Sequence, residues 1–225
     1  MNTTTINPAD IKQPSAVSPF LKWPAQLLSY IFHPIFIPLY VIAFLVYIHP
    51  SYFSGFADGL KKRTLFIVIQ NAIFYPLFCI ALLKGLGFIE SIYLRTQKDR
   101  IIPYIACGIF FFWTFNVFKQ QEIYPRIVPS FMLGVFLASS AALIANIYFK
   151  ISMHTIGLGG WLGLFLVVAN TNSMLMTWPL AAVLLITGMV CTARLIVSDH
   201  TVKEVYAGLL MGLLAQFAAA YIMLG

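Results

Sequence analysis

Long apolar runs separated by short polar stretches dominate this chain. A membrane-crossing helix needs ~20 predominantly apolar residues at about 1.5 Å rise per residue. Runs near that length fall at 25–48, 64–89, 102–118, 130–149, 156–171, 174–193 and 203–224. They predict an all-α fold, a polytopic transmembrane helix bundle of six to seven spans. The fifth run is short and holds Gly157, Gly159, Gly160 and Gly163, so it packs closely against its neighbours or falls short of full thickness. Pro34, Pro38, Pro76 and Pro179 lie inside runs, where neighbouring helices can re-satisfy the carbonyls that a proline frees. Lys84 lies near the end of its run and can snorkel. Residues 1–24 are mostly polar and lack the basic start, apolar core and cleavage pattern of a signal peptide. They read as a flexible or interfacial lead-in to a single transmembrane domain over 25–225.

Composition agrees with this pattern. Of 225 residues, 60% are apolar and 9% charged, too little polar surface to cover a water-soluble sphere. The net charge of +7, from 14 Lys and Arg against seven acids, would suggest nucleic acid in a soluble protein. Here the basic residues sit in loops between apolar runs, so lipid headgroups or an anionic substrate are the expected partners and nucleic acid is not. Cys79, Cys107 and Cys191 lie far apart in apolar runs and form neither a disulfide framework nor a CxxC metal site.

If all seven runs cross, Lys12, Lys22, Arg95, Lys98, Arg100, Lys150, Arg194 and Lys203 share one face with the N-terminus, and Lys61, Lys62, Arg63, Lys119 and Arg126 share the other. Eight against five points to a cytoplasmic first face. Setting aside Lys98, Arg100, Lys150 and Arg194 as candidates for chemistry leaves four against five, and the preference disappears.

Ionisable groups near membrane depth cost ~2.5–3.5 kcal/mol each at a helix centre on insertion scales, so their placement is informative. On the first face they form three clusters: residues 95–100 with Arg95, Lys98 and Arg100; residues 150–155 with Lys150, Ser152 and His154; and residues 194–204 with Arg194, Asp199, His200 and Glu204. Each follows an even-numbered span, so all three can converge. His200 and Glu204, four apart at a helix start, lie on one helix face, where the carboxylate can orient the imidazole. Gly208 and Gly212 continue that stripe and leave room for close packing or an acyl chain. Arg194 presents a planar fork suited to phosphate oxygens. Ser152 and His154 precede a helix whose N-terminal amides attract anions. Two histidines with several cations and no cluster of acids point to phosphoryl transfer through a phosphohistidine, with no metal and no cofactor.

These residues carry a resemblance. ARLIVSDHTVKE resembles the third signature of the type 2 phosphatidic acid phosphatase family, KISMHT its second, and QKDRIIP the Arg-Pro end of its first; together they cover about residues 95–212. The resemblance implies that His200 is the nucleophile, Glu204 its orienting partner and His154 the acid that protonates the leaving oxygen. Lys98, Arg100, Ser152 and Arg194 then hold the phosphate. It further implies a membrane lipid phosphate as substrate (phosphatidic acid, phosphatidylglycerol phosphate or undecaprenyl diphosphate class) and a bacterial inner membrane with the site facing the periplasm. The chain departs from the signatures at Ala193 for serine, Glu204 for aspartate, Ile151 and Met153 for proline and glycine, and Tyr93 for the first lysine. Lys119 and Arg126 have the spacing of that first pair but fall on the opposite face. No span is expected between the first two signatures, yet runs 102–118 and 130–149 lie there.

Simpler readings cover the remainder. His33 and His49 read as interfacial or hydrogen-bonded histidines, Asp199 as a helix cap, and Trp23, Trp113, Trp161 and Trp178 as interface or packing aromatics. A non-catalytic relative that binds or carries anionic lipid is the alternative to the enzyme.

Overall fold

The computed structural model describes residues 18–89, 91, 96–197 and 200–225, and among them every regular element is helical. Lys12, Tyr93, Arg95, Ser198 and Asp199 lie outside the described residues.

The first run divides. Helix α1 (Pro19–Ile31) starts at Ser18, whose hydroxyl accepts from the Phe20 amide, so helix begins inside the stretch expected as a lead-in. It buries Ala25 and Ser29, packs against the helix over Thr177–Val197, and leaves Phe20, Trp23 and Tyr30 exposed. A turn over His33–Phe36 separates it from α2 (Ile37–Ala43), which continues as one π turn to Ile48. The uninterrupted span expected over 25–48 is therefore two helices meeting at a break. Pro34 offers no amide to continue α1 and disfavours helical backbone at His33. Pro38 falls in the first turn of α2, where a missing N–H costs nothing.

Residues Ile37–Ile48 form a short apolar helix of about 18 Å by helical rise, less than the ~30 Å of bilayer hydrocarbon. His33 packs on His154 at the start of the helix over Met153–Thr171, while Ser51 bonds Asn172 just beyond that helix's end.

Helices α3 (Asp58–Val68) and α4 (Tyr75–Gly85) are joined through a π turn at Ile69–Phe74 into one membrane-length helix. Pro76, in the first turn of α4, cannot donate to the carbonyl one turn back, and the backbone accommodates this by widening. Five further helices follow: α5 (Gln97–Lys119), α6 (Ile127–Tyr148), α7 (Met153–Thr171), α8 (Thr177–Val197) and α9 (Val202–Leu224). Pro179 opens α8. The prolines expected as mid-span kinks thus stand at a break, after a π turn or at a helix start.

Among the described residues, six helices are long and apolar enough to cross a membrane. The spans expected over 102–118 and 130–149, α5 and α6, are both among them. Over their most apolar windows α6 and α7 are 61% and 56% buried against 28% for α8, which makes them the centre of the bundle.

The tightest contact is α7 on α9. A Cβ at Gly212 would run into the carbonyl of Ile156, one at Gly159 into that of Leu209, and one at Gly208 into the Thr155 hydroxyl and the Ser152 carbonyl. Only hydrogen fits at these crossings, and dispersion across the resulting contact substitutes for a hydrophobic drive that lipid does not supply. Gly163, a turn beyond Gly159, accommodates Gln216 of α9 in the same way. The Gly-rich helix expected to pack closely does so over its full length of 19 residues.

Candidate active site

The starts of α5, α7 and α9, the ends of α6 and α8 and the α1–α2 turn gather at one end of the bundle. Gln97 and Asn146 exchange side-chain amide to backbone carbonyl bonds of 2.9 and 2.8 Å, which pins the start of α5 to the end of α6. One turn on, buried Arg100 donates from Nη1 to the Ile151 carbonyl at 3.1 Å, reaching the loop that leads into α7.

His200 stands just before α9. Its Nδ1 lies 2.9 Å from Glu204 Oε2, which also accepts from the Thr201 amide, while the Thr201 hydroxyl accepts from the Glu204 amide. One carboxylate therefore closes the capping box of α9 and holds the imidazole. The cap is Thr201, where the sequence reading had placed Asp199. A carboxylate can only accept, so Nδ1 of His200 carries the proton and Nε2 keeps its lone pair. Burial, above all, together with Arg194 and Arg100 holds His200 below its ordinary value against the upward pull of Glu204. A His200 side chain only 4% exposed is thus oriented by Glu204, with burial favouring its neutral form.

His154 lies in the first turn of α7, with Nε2 3.0 Å from the Ser29 carbonyl of α1. The carbonyl only accepts, so Nε2 is the protonated nitrogen and Nδ1 is the one that can exchange protons. Ser152 is the N-cap residue of α7. It is fully buried, and its hydroxyl has no partner among the described residues. A hydroxyl left so at a helix N-terminus, next to the Ile151 carbonyl that Arg100 holds, is an arrangement that an anion's oxygens satisfy.

Of the seven residues singled out by sequence, Arg100, Ser152, His154, Arg194, His200 and Glu204 lie at this end of the bundle. Lys98 is exposed on the first turn of α5, two positions and hence roughly 200° around the helix from Arg100. Among the described residues it makes no contact with the cluster. Lys119 and Arg126 sit at the opposite end, Lys119 over the Phe115 ring, so neither can serve the site.

Two contributors escaped the sequence reading. The Ser29 carbonyl orients His154, and the His33 ring meets that of His154 edge to face at 5.3 Å. His33, expected to be an unremarkable interfacial residue, belongs to the cluster. His49 is the histidine to which the simpler reading applies: it caps Ser51 and stacks on Tyr52 at the far end of the bundle. Among known proteins, no family model, no curated protein and no solved structure matches the chain.

Proposed function

We propose that the chain is an integral-membrane lipid phosphatase that hydrolyses a lipid phosphomonoester or diphosphate through a phosphohistidine on His200, without a metal ion. The observation that carries this reading is the His200–Glu204 pair, with Nε2 unprotonated, set against Arg100, Arg194 and the unpartnered Ser152 hydroxyl. In the first step the Nε2 lone pair attacks phosphorus, the bond to the lipid or diphosphate oxygen breaks, and that oxygen takes the Nδ1 proton of doubly protonated His154. Glu204, accepting from Nδ1–H, offsets the positive charge left on the phosphorylated ring. In the second step water attacks phosphorus, the P–N bond breaks back to His200, and His154 recovers a proton from the water. Arg100, Arg194 and Ser152 neutralise and orient the equatorial oxygens throughout.

A lipid rather than a soluble ester is supported by an apolar groove of about 500 Å³ between α1, α2 and α7, lined by Phe32, Tyr40, Phe44, Ile48 and Trp161 among others. Ile31 and Phe32, which lead into the turn that carries His33, are part of its lining, and an acyl chain lying along α2 would fill it. The departures from the resembled signatures have a packing reason. Ile151 is fully buried in an apolar cluster with Ala138, Ala142 and Ile156, Met153 packs against it, and Ala193 is buried in α8. Arg100, Ser152, His154, Arg194, His200 and Glu204 remain in the cluster, while Tyr93, in the place of the first lysine, lies outside the described residues. By resemblance the site faces the periplasm of a bacterial inner membrane, which cysteine labelling of Ser198 against Asp58 with an impermeant reagent tests: label at Ser198 from outside is expected.

The direct test is phosphate release by the purified protein from phosphatidic acid, phosphatidylglycerol phosphate and undecaprenyl diphosphate, with chelator present. Release insensitive to chelator is expected. Thermal protection by these lipids without turnover of any would replace the enzyme with an anionic-lipid binder.

The pH profile is a second prediction. The nucleophile must be neutral, and its protonation is pushed below the ordinary 6.5. The acid limb of kcat/KM is therefore expected below pH 6.5. Glu204 raises His200 through its hydrogen bond and its charge, so Glu204→Gln moves that limb further down while lowering the rate about 10²-fold or more. A limb that moves upward in Glu204→Gln would contradict the assignment.

A further inference from the structure

We infer that His33 is a third histidine of the phosphate site, donating a hydrogen bond from Nε2 to the anion that Arg100, Arg194 and Ser152 surround. The inference deepens the lipid phosphatase reading and rests on it for the identity of the anion. Three observations carry it. First, position: the His33 ring packs edge to face on His154, with 5.3 Å between centroids and 84° between planes, which puts His33 in direct contact with a ring of the cluster. Second, tautomer: the Ile35 amide donates to His33 Nδ1 at 3.4 Å, which leaves the proton of the neutral ring on Nε2, and among the described residues Nε2 has no hydrogen-bond partner. Third, rigidity: His33 lies in the break between α1 and α2, where Pro34 fixes the backbone and the Phe36 amide donates to the His33 carbonyl at 2.9 Å. The next residues are seated on α7, since a Cβ at Gly157 would touch Pro34 and Ile37 at 3.3 Å. Gly157 is one turn beyond His154, so the break is registered against the catalytic helix itself.

Charge fits the same role. A neutral imidazole adds a donor without adding a cation to a site that already holds two guanidinium groups. A neutral donor contacts phosphate oxygens without opposing the protonation that His154 needs. His33 also directly follows Ile31 and Phe32, which line the apolar groove.

The test uses inorganic phosphate as probe and thermal unfolding of the full chain in detergent as readout, so it does not depend on turnover. Wild type, His33→Phe and His33→Gln are titrated, the Phe variant keeping a ring and the Gln variant restoring an N–H near Nε2. The phosphate concentration for half-maximal protection is expected to rise about tenfold in His33→Phe and to return within about threefold of wild type in His33→Gln. Wild-type affinity in His33→Phe overturns the inference, as does equal loss in both variants or absence of protection in the wild type. Protection that follows this pattern in a protein that releases phosphate from no lipid would leave His33 in the anion site and remove the enzyme reading. Full phosphatase activity with unaltered phosphate affinity in His33→Phe would do the reverse.

Discussion

His200→Ala is expected to lower phosphate release by at least about 10³-fold while the protein still folds and still binds phosphate. The magnitude follows from the role: without the imidazole no covalent intermediate forms, and direct attack by water on the ester keeps only the help of the cations and of His154. Folding should survive because the α9 cap does not depend on the ring. Glu204 Oε2 keeps the Thr201 amide at 3.1 Å and the Thr201 hydroxyl keeps the Glu204 amide at 3.3 Å. What is lost is one bond of 2.9 Å to a partly exposed carboxylate, a matter of about 1 kcal/mol. Release from the preferred lipid, measured beside the melting temperature and phosphate protection, separates the outcomes. Undiminished release in His200→Ala would remove the phosphohistidine mechanism.

The convergence of three clusters on one end of the bundle was legible in the sequence because membrane crossing imposes alternation. Once the apolar runs are counted, every second loop must share a face, and charges too costly for the hydrocarbon have nowhere else to go. The His200–Glu204 pair was legible for a local reason, since a spacing of four at a helix start fixes both side chains on one face. His33 was not, because it was read as lying inside an apolar run, and a histidine inside a span has no side. The signal was present in Pro34: a residue that ends a helix places its predecessor at a boundary, and a boundary there puts His33 on the face of His154. Lys98 is set apart from the cluster by helix geometry. It shares a cluster with Arg100 in sequence, but a separation of two positions turns the two residues to opposite sides of α5, and only Arg100 is buried toward Ile151. The Ser29 carbonyl carries no sequence signal at all, because every residue has a carbonyl and only the packing of α1 determines which one meets His154.

What brings His154 and His200 together is the missing side chains between α7 and α9, and this is where a substitution far from the chemistry should cost most. In Gly212→Val the new Cβ meets the Ile156 carbonyl and the Gly160 amide, both backbone atoms of α7. Backbone cannot rotate aside, so the helices must separate, with an overpacking cost of about 1–3 kcal/mol or more. His154 leads α7 and His200 leads α9, so separation shifts the two rings against each other, and with them the nucleophile and acid of the proposed mechanism. A displacement of about 1 Å can lower the rate about 10²-fold. Gly212→Val is thus expected to lower the melting temperature and to reduce phosphate release by at least that factor, with all polar site residues intact. Gly188, in α8, has nothing within 4 Å of a Cβ position, and Gly188→Ala is expected to be neutral or stabilising by about 0.5–1 kcal/mol through helix propensity. If both variants melted and turned over as the wild type does, the α7–α9 contact would not be what positions the two histidines; if only Gly188→Ala did, glycine would be required by close approach at one crossing and dispensable on the lipid face.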